Sequence, residues 1–215
     1  MKKLCIFDLD GTLVDSIADI AFAVNRGLRI MNLPEQQLEK FYTFVGDGMK
    51  KLCERALPDG AKSRADELSQ LYGSYYVEHC CVLTKPYEGI FSAVDKIKFA
   101  GIKTAVLSNK PHEQTLSVVN TLFGEDYFDF VLGQTASFKV KPDPGALIYV
   151  MEKLGADRTD TVNIGDSDVD IILGRNAGID SIGVKWGFRG EAELISAGCK
   201  KIAAKPEDLY DWVME

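Results

Sequence analysis

Five short apolar stretches, each ending in glycine or polar residues and most of them followed by a helix-like pattern, constrain this chain more than any other feature. LCIF (4–7) runs into DLDGT, KTAVL (103–107) into SNK, FDFVLG (128–133) into a polar loop, TVNI (161–164) into GDSD, and DSIGV (180–184) into KWG. Strands that recur between helices need right-handed crossovers, so the pattern predicts an α/β fold with a doubly wound parallel sheet. In such sheets ligands sit beyond the carboxyl ends of the strands. Those ends are where the polar motifs of this sequence fall.

One interval breaks the alternation. Between Ser16 and Val82 only helix-like segments occur: IADIAFAVNRGLRIMN, EQQLEKFYTFV, GMKKLCERAL and AKSRADELSQLYGSYYVEHC, punctuated by Pro34, Gly46, Pro58 and Gly60. A helical insert of this size after the first strand predicts a small second domain over residues 16–82. The core would then comprise residues 1–15 and 83–215. Extra helices packed on the core are the plainer alternative.

The 215 residues, 46% hydrophobic and 27% charged, suffice for one core-bearing domain and a modest second unit. A net charge of -7 argues against nucleic-acid and anionic-membrane partners. The apolar run after Lys2 and Lys3 is too short for a secretory signal, and no segment has the roughly 18 apolar residues of a membrane helix. The five cysteines are odd in number and contain no C-x-x-C pair, which argues against a disulfide framework or a zinc site. A reduced, cytoplasmic chain, monomer or homodimer, is expected.

Four motifs carry the chemistry. In DLDGTLVDS, Asp8 would stand at the end of the first strand, ionised at neutral pH and available as a nucleophile. Asp10 follows two residues on, Gly11 permits a sharp turn, and Thr12 supplies a hydroxyl and a backbone N–H. Taken alone, D-x-D-G is also ordinary turn punctuation. In VLSNKP, Ser108 and Asn109 precede a helix start that suits a phosphate oxygen, or they simply cap that helix. In FKVKPDP, Lys139 or Lys141 could present an ammonium to phosphate, although solvated lysines are the commoner case. In NIGDSDVD, a strand delivers Asp166, Asp168 and Asp170 within five residues at a helix start, where the dipole accounts for one or two acids.

The motifs are informative together. If Asp8, Asp10, Asp166 and Asp170 converge, two such charges about 4 Å apart repel by roughly 4 kcal/mol at an effective dielectric near 20. A divalent cation removes that penalty, and oxygen ligands without a neighbouring histidine point to magnesium (Mg2+).

Assembled in this order, the motifs resemble those of the haloacid dehalogenase-like hydrolase superfamily, and within it the phosphoglycolate phosphatase branch. DLDGTLVDS is similar to the first motif of that family, LSN to the second, Lys141 in VKPDP to the third and GDSDVD to the fourth. VGDGMKKL (45–52) and VKWGFR (184–189) are similar to the branch in particular. The resemblance implies a Rossmann-like core, a mobile helical cap and a small phosphorylated metabolite as substrate. It implies that Asp8 attacks phosphorus and forms an aspartyl-phosphate, while Asp10 protonates the leaving oxygen and then activates water. It further implies that the carboxylates of Asp8 and Asp166 and the carbonyl of Asp10 hold magnesium, and that Asp170 tethers Lys141 or a metal-bound water. Ser108, the Asn109 backbone and Lys141 would bind the phosphoryl oxygens. The cap loop Gly46-Asp47-Gly48, with Lys50 or Lys51 nearby, would meet the organic part of the substrate, with Arg189 as another candidate for a substrate carboxylate.

Rival readings differ in chemistry. Asp10 and Asp166 look built for phosphate rather than for dehalogenation. A phosphosugar mutase or an inorganic pyrophosphatase would use the same two N-terminal aspartates. A phospho-accepting signalling module would be shorter, would lack a cap and would not need Asp10, and a catalytically dead binding scaffold would not keep a competent residue at every motif position.

Overall fold

The computed structural model describes residues 2–215. Eight strands form in chain order: β1 (Leu4–Phe7), β2 (Val14–Asp15), β3 (Lys85–Pro86), β4 (Lys103–Pro111), β5 (Phe130–Gln134), β6 (Thr161–Gly165), β7 (Asp180–Val184) and β8 (Lys201–Ala203). Six of them make one sheet in the order β5-β4-β1-β6-β7-β8, and every pairing in it is parallel. The five apolar stretches of the sequence are strands of this sheet. The three-residue edge strand β8 adds a sixth that is too short and too polar to stand out as an apolar run.

Helices α1 (Ile17–Ile30), α2 (Leu38–Phe44), α3 (Met49–Ala56) and α4 (Ala65–His79) follow β2 before any further strand. Six more complete the chain: α5 (Ile90–Phe99), α6 (His112–Leu122), α7 (Gly145–Leu154), α8 (Asp168–Ala177), α9 (Glu191–Ser196) and α10 (Asp208–Met214). No helix among the described residues is long and apolar enough to cross a membrane.

The period-two alternation of β1 sorts its side chains to two faces. Leu4 and Ile6 pack with Leu107, Leu132, Leu147, Val150 and Leu173, under α7 and α8. Cys5 and Phe7 face the other way, into a larger cluster that holds Ile90, Val94, Val118 and Leu209 together with Val24, Leu28, Phe41, Leu68 and Tyr76 of the helical insert. Both faces are therefore covered, as a parallel sheet requires. The insert shares its apolar interior with the core. At its two ends β2 and β3 pair antiparallel, Val14 with Pro86 and Asp15 with Lys85, so the chain leaves and re-enters the core side by side. Asp19, in the first turn of α1, accepts hydrogen bonds from Leu83 N, Thr84 N and Thr84 Oγ1 at 2.7–3.1 Å and ties the returning strand to the departing helix.

Candidate active site

The carboxyl ends of β1, β4 and β6 converge on one cavity. The core supplies Asp8, Asp10, Ser108, Asn109, Lys110 and Asp166 to its wall, and the insert supplies Ile20, Gly46, Gly48, Met49, Leu52 and Tyr72. Phe188 and Arg189, from the loop after β7, complete it. The sheet thus provides the polar floor, while the insert provides a mostly apolar wall.

Asp8 stands where the β1 ladder ends, its N–H still bonded to the Ile164 carbonyl at 2.8 Å, so a rigid strand fixes its carboxylate. The Lys141 ammonium lies 2.9 Å from Asp8 Oδ1 and 2.7 Å from Asp170 Oδ1, and it is buried. Burial works against that charge, but Asp170 and Asp8 outweigh it and hold the ammonium above its ordinary value. Asp170 also starts a helix. Its other oxygen accepts from Ser167 N at 3.2 Å and Ser167 Oγ at 2.7 Å, the capping box that opens α8. The helix start predicted from the acidic cluster is real, and the acid that caps it also clamps the lysine.

Asp166 accepts from Phe188 N at 2.7 Å and, more loosely, from Thr12 Oγ1 at 3.4 Å. Asp8, Asp166 and Asp170 each place an oxygen within 4.8 Å of the others. Burial first, then the neighbouring Asp170 and Asp8 charges, push the Asp166 carboxyl well above the usual range. Burial likewise pushes Asp8 up to about 7, against the pull of Lys141. Three crowded carboxylates thus share one lysine, and the uncompensated negative charge, all-oxygen and without histidine or cysteine, suits a hard divalent cation.

The Asn109 side chain is a structural bracket. Its Nδ2 donates to Gly46 O at 2.9 Å and Lys141 O at 3.1 Å, and its Oδ1 accepts from Lys141 N at 2.7 Å. It therefore joins the insert loop to the segment that carries Lys141. The Ser108 hydroxyl accepts from Lys110 N at 3.2 Å, and Ser108 lines the cavity. Thr12 sits behind Asp166 rather than on the cavity wall, and its carbonyl accepts from Trp186 Nε1 at 3.1 Å.

The insert residues divide. Gly46 and Gly48 line the cavity with positive φ, 126° and 86°. Asp47 between them turns to Arg55, 2.5 Å away, so it does not present its charge to the cavity. Lys50 is corrected as a substrate contact: it is exposed, and its ammonium lies 3.5 Å from Asp66. The physical reason is helical. Met49 and Leu52 carry the cavity-facing side of α3, and Lys50 and Lys51 point to solvent, Lys51 onto Glu54 at 2.8 Å. Arg189 does reach the cavity, held by Val45 O at 2.9 Å and with Glu193 3.7 Å away.

Two participants escaped the sequence reading. Lys110 forms a buried ion pair with Asp10, Nζ to Oδ2 at 2.6 Å, while Ser16 Oγ donates to Asp10 Oδ1 at 2.5 Å. A cation directly after a strand-end Ser-Asn was the available signal. Gly187 lies so close to Asp166 and the Gly11 carbonyl that a Cβ would overlap both. Its sequence signal was its place in the VKWGFR stretch, in which no role was assigned to the glycine.

A family profile described as haloacid dehalogenase-like hydrolase matches residues 5–184. A protein of Aquifex aeolicus named phosphoglycolate phosphatase is 33% identical over 186 residues, 86% of each chain. A Neisseria meningitidis protein of the same name is 35% identical over 213 residues, 97% of this chain and 87% of that one. A solved structure from Lactobacillus delbrueckii subsp. bulgaricus, 30% identical, superposes over 99% of both chains with a TM-score of 0.92.

Proposed function

Because the chain belongs to the haloacid dehalogenase-like hydrolase family and is a phosphomonoester hydrolase within it, we propose that it hydrolyses 2-phosphoglycolate or a closely similar small phosphomonoester. The reaction would run through a phosphoryl group held covalently on Asp8. The observation that carries this reading is the contact of Asp8 with Lys141 at 2.9 Å, in the floor of a cavity that Ser108 also lines.

In that mechanism Asp8 Oδ attacks phosphorus in line, and the ester oxygen leaves on the opposite side. Lys141 and the Ser108 hydroxyl meet the equatorial oxygens, where a charge fixed before the reaction stabilises the transition state most. Asp10 gives a proton to the departing alkoxide, then takes one from the water that cleaves the phosphoryl-aspartate. Asp8, Asp166 and the Asp10 carbonyl would hold Mg2+, which when bound neutralises charge on the phosphoryl oxygens and on the crowded acids. Asp170 keeps Lys141 pointed at Asp8. The insert acts as a cap: its apolar residues Ile20, Leu52 and Tyr72 keep bulk water from the site, and Asn109 bonds its loop to the catalytic floor.

Arg189 is the candidate for the substrate carboxylate, since its guanidinium lines the cavity and carboxylates favour a planar fork. The experiment is phosphate release, with Mg2+, from a panel holding 2-phosphoglycolate, sugar phosphates, nucleotides and pyrophosphate. Preference for 2-phosphoglycolate and loss of turnover in Asp8→Asn are expected. An Asp8→Asn variant of full activity would refute the mechanism, and preference for pyrophosphate or a sugar phosphate would refute the substrate.

A further inference from the structure

Lys110 is a buried cation that the reaction, as described, does not use. It sits on β4 directly after Asn109, and its ammonium is held on two sides. Asp10 Oδ2 lies 2.6 Å away, and the ring centroid of Tyr76, on α4 of the insert, lies 4.7 Å away. Among the described residues the Tyr76 hydroxyl has no hydrogen-bond partner, and it is the aromatic face of that residue which meets Lys110. The other Asp10 oxygen accepts from Ser16 Oγ, where the chain departs for the insert.

The geometry points to Lys110 as a positioning residue for Asp10. It fixes the aim of the carboxyl that carries the proton, and Tyr76 holds Lys110 in turn, so that the seating of the insert and the aim of Asp10 are linked. This inference rests on the phosphatase reading, in which Asp10 protonates the leaving oxygen. A lysine has four rotatable bonds and loses much rotamer freedom when ordered. Buried and packed on an aromatic face, the ammonium is confined to one position, and its charge holds one orientation of Asp10. Proton transfer needs such precision, because a displacement of about 1 Å can lower the rate about 100-fold.

Lys110 also lines the cavity, so direct binding of a substrate oxygen is the competing role. Leaving-group dependence separates the two. An alkoxide must be protonated as it departs, whereas p-nitrophenolate departs without help. The experiment measures kcat/KM for 2-phosphoglycolate and p-nitrophenyl phosphate with Mg2+, together with inhibition by inorganic phosphate. The proteins are the wild type, Lys110→Met, Lys110→Arg, Tyr76→Leu and Tyr76→Phe.

For Lys110→Met, kcat/KM on 2-phosphoglycolate is expected to fall about 100-fold or more, and on p-nitrophenyl phosphate at least about tenfold less, with inhibition by phosphate unchanged. Lys110→Arg should recover part of that loss. Tyr76→Leu should show the same selectivity in weaker form, and Tyr76→Phe, which keeps the ring, should restore it. Equal losses on the two esters, or weakened inhibition by phosphate, would overturn the inference in favour of direct anion binding. If Lys110→Met does not fold, Tyr76→Leu decides: an unselective loss there overturns the inference. A wild type inactive on both esters would refute the phosphatase reading itself, whereas an active wild type with unselective variants refutes only the role of Lys110.

Discussion

Replacing Lys141 with methionine tests the electrostatic logic of the site most directly. The ammonium lies 2.9 Å from Asp8 and 2.7 Å from Asp170, and it is buried. At an effective dielectric near 20, each contact corresponds to roughly 6 kcal/mol of Coulomb attraction. Desolvation offsets most of that, and truncating one partner of a buried pair typically costs about 3–5 kcal/mol. For a chain of this size, each kcal/mol shifts Tm by about 2–4 °C, so a fall of roughly 6–20 °C is expected in chelator. Methionine matches the length of lysine, so the loss reports the charge rather than a cavity. Mg2+ should narrow the gap, because three carboxylates without their lysine gain more from a divalent cation than three with it. At a hundredfold excess over its Kd, a bound ion adds about 2.7 kcal/mol. Differential scanning fluorimetry with and without Mg2+, paired with phosphate release, is the assay. A variant that melts within about 2 °C of the wild type in chelator, or that gains nothing extra from Mg2+, would refute the claim that Lys141 neutralises the acids.

Gly187→Ala should lower stability by about 1–3 kcal/mol and activity with it, because its Cβ overlaps Asp166 and the Gly11 carbonyl; thermal melts and phosphate release check this. Arg189→Ala should remove roughly 1.5–3 kcal/mol of interaction with a substrate carboxylate. That is about 10- to 100-fold in kcat/KM for 2-phosphoglycolate, with little change for p-nitrophenyl phosphate. Lys50→Ala, at an exposed position, should leave both unchanged in the same kinetic assay. Thiol labelling should be ordered by environment. Hydrogen bonding with Cys81 and Ser117 pulls the Cys80 thiol below its ordinary value against its burial, so Cys80 should label faster than Cys53 or Cys5. Burial pushes Cys53 up to about 11 and Cys5 up to about 12, so both should stay unlabelled in the native protein at pH 8, as read by peptide mass spectrometry.

Much of this site was legible without coordinates. β1 and β7 begin and end at the residues the sequence marks, Leu4–Phe7 and Asp180–Val184, because the apolar residues Leu4–Phe7 and Ile182–Val184 suit strands covered on both faces. Asp8 and Asp166 directly follow the last residues of β1 and β6, Ser108 lies on β4 just past the regular pairing with β5 that ends at Leu107, and in a parallel sheet all strand ends on one side share a crevice. Local spacing was therefore enough to foresee their meeting. The short ribbon of β2 and β3 left no such trace, since a two-residue strand has no period to read.

What lay beyond reach depends on which way long side chains turn and on contacts between distant segments. Lys50 and Arg189 are both cations near glycine-containing loops, yet α3 rotates Lys50 into solvent while the loop after β7 brings Arg189 over the cavity. Lys110 reads as one more residue of a phosphate loop until α4 lays Tyr76 across it, and Asp47 looks available until Arg55 takes its charge. The sequence by itself determined five of the six strands of the sheet, their parallel arrangement and the acids placed at their ends, because strand periodicity and crossover handedness are local rules. Tertiary structure alone decided which cations serve those acids, because a lysine or arginine reaches in any direction until packing on a neighbouring element removes all but one.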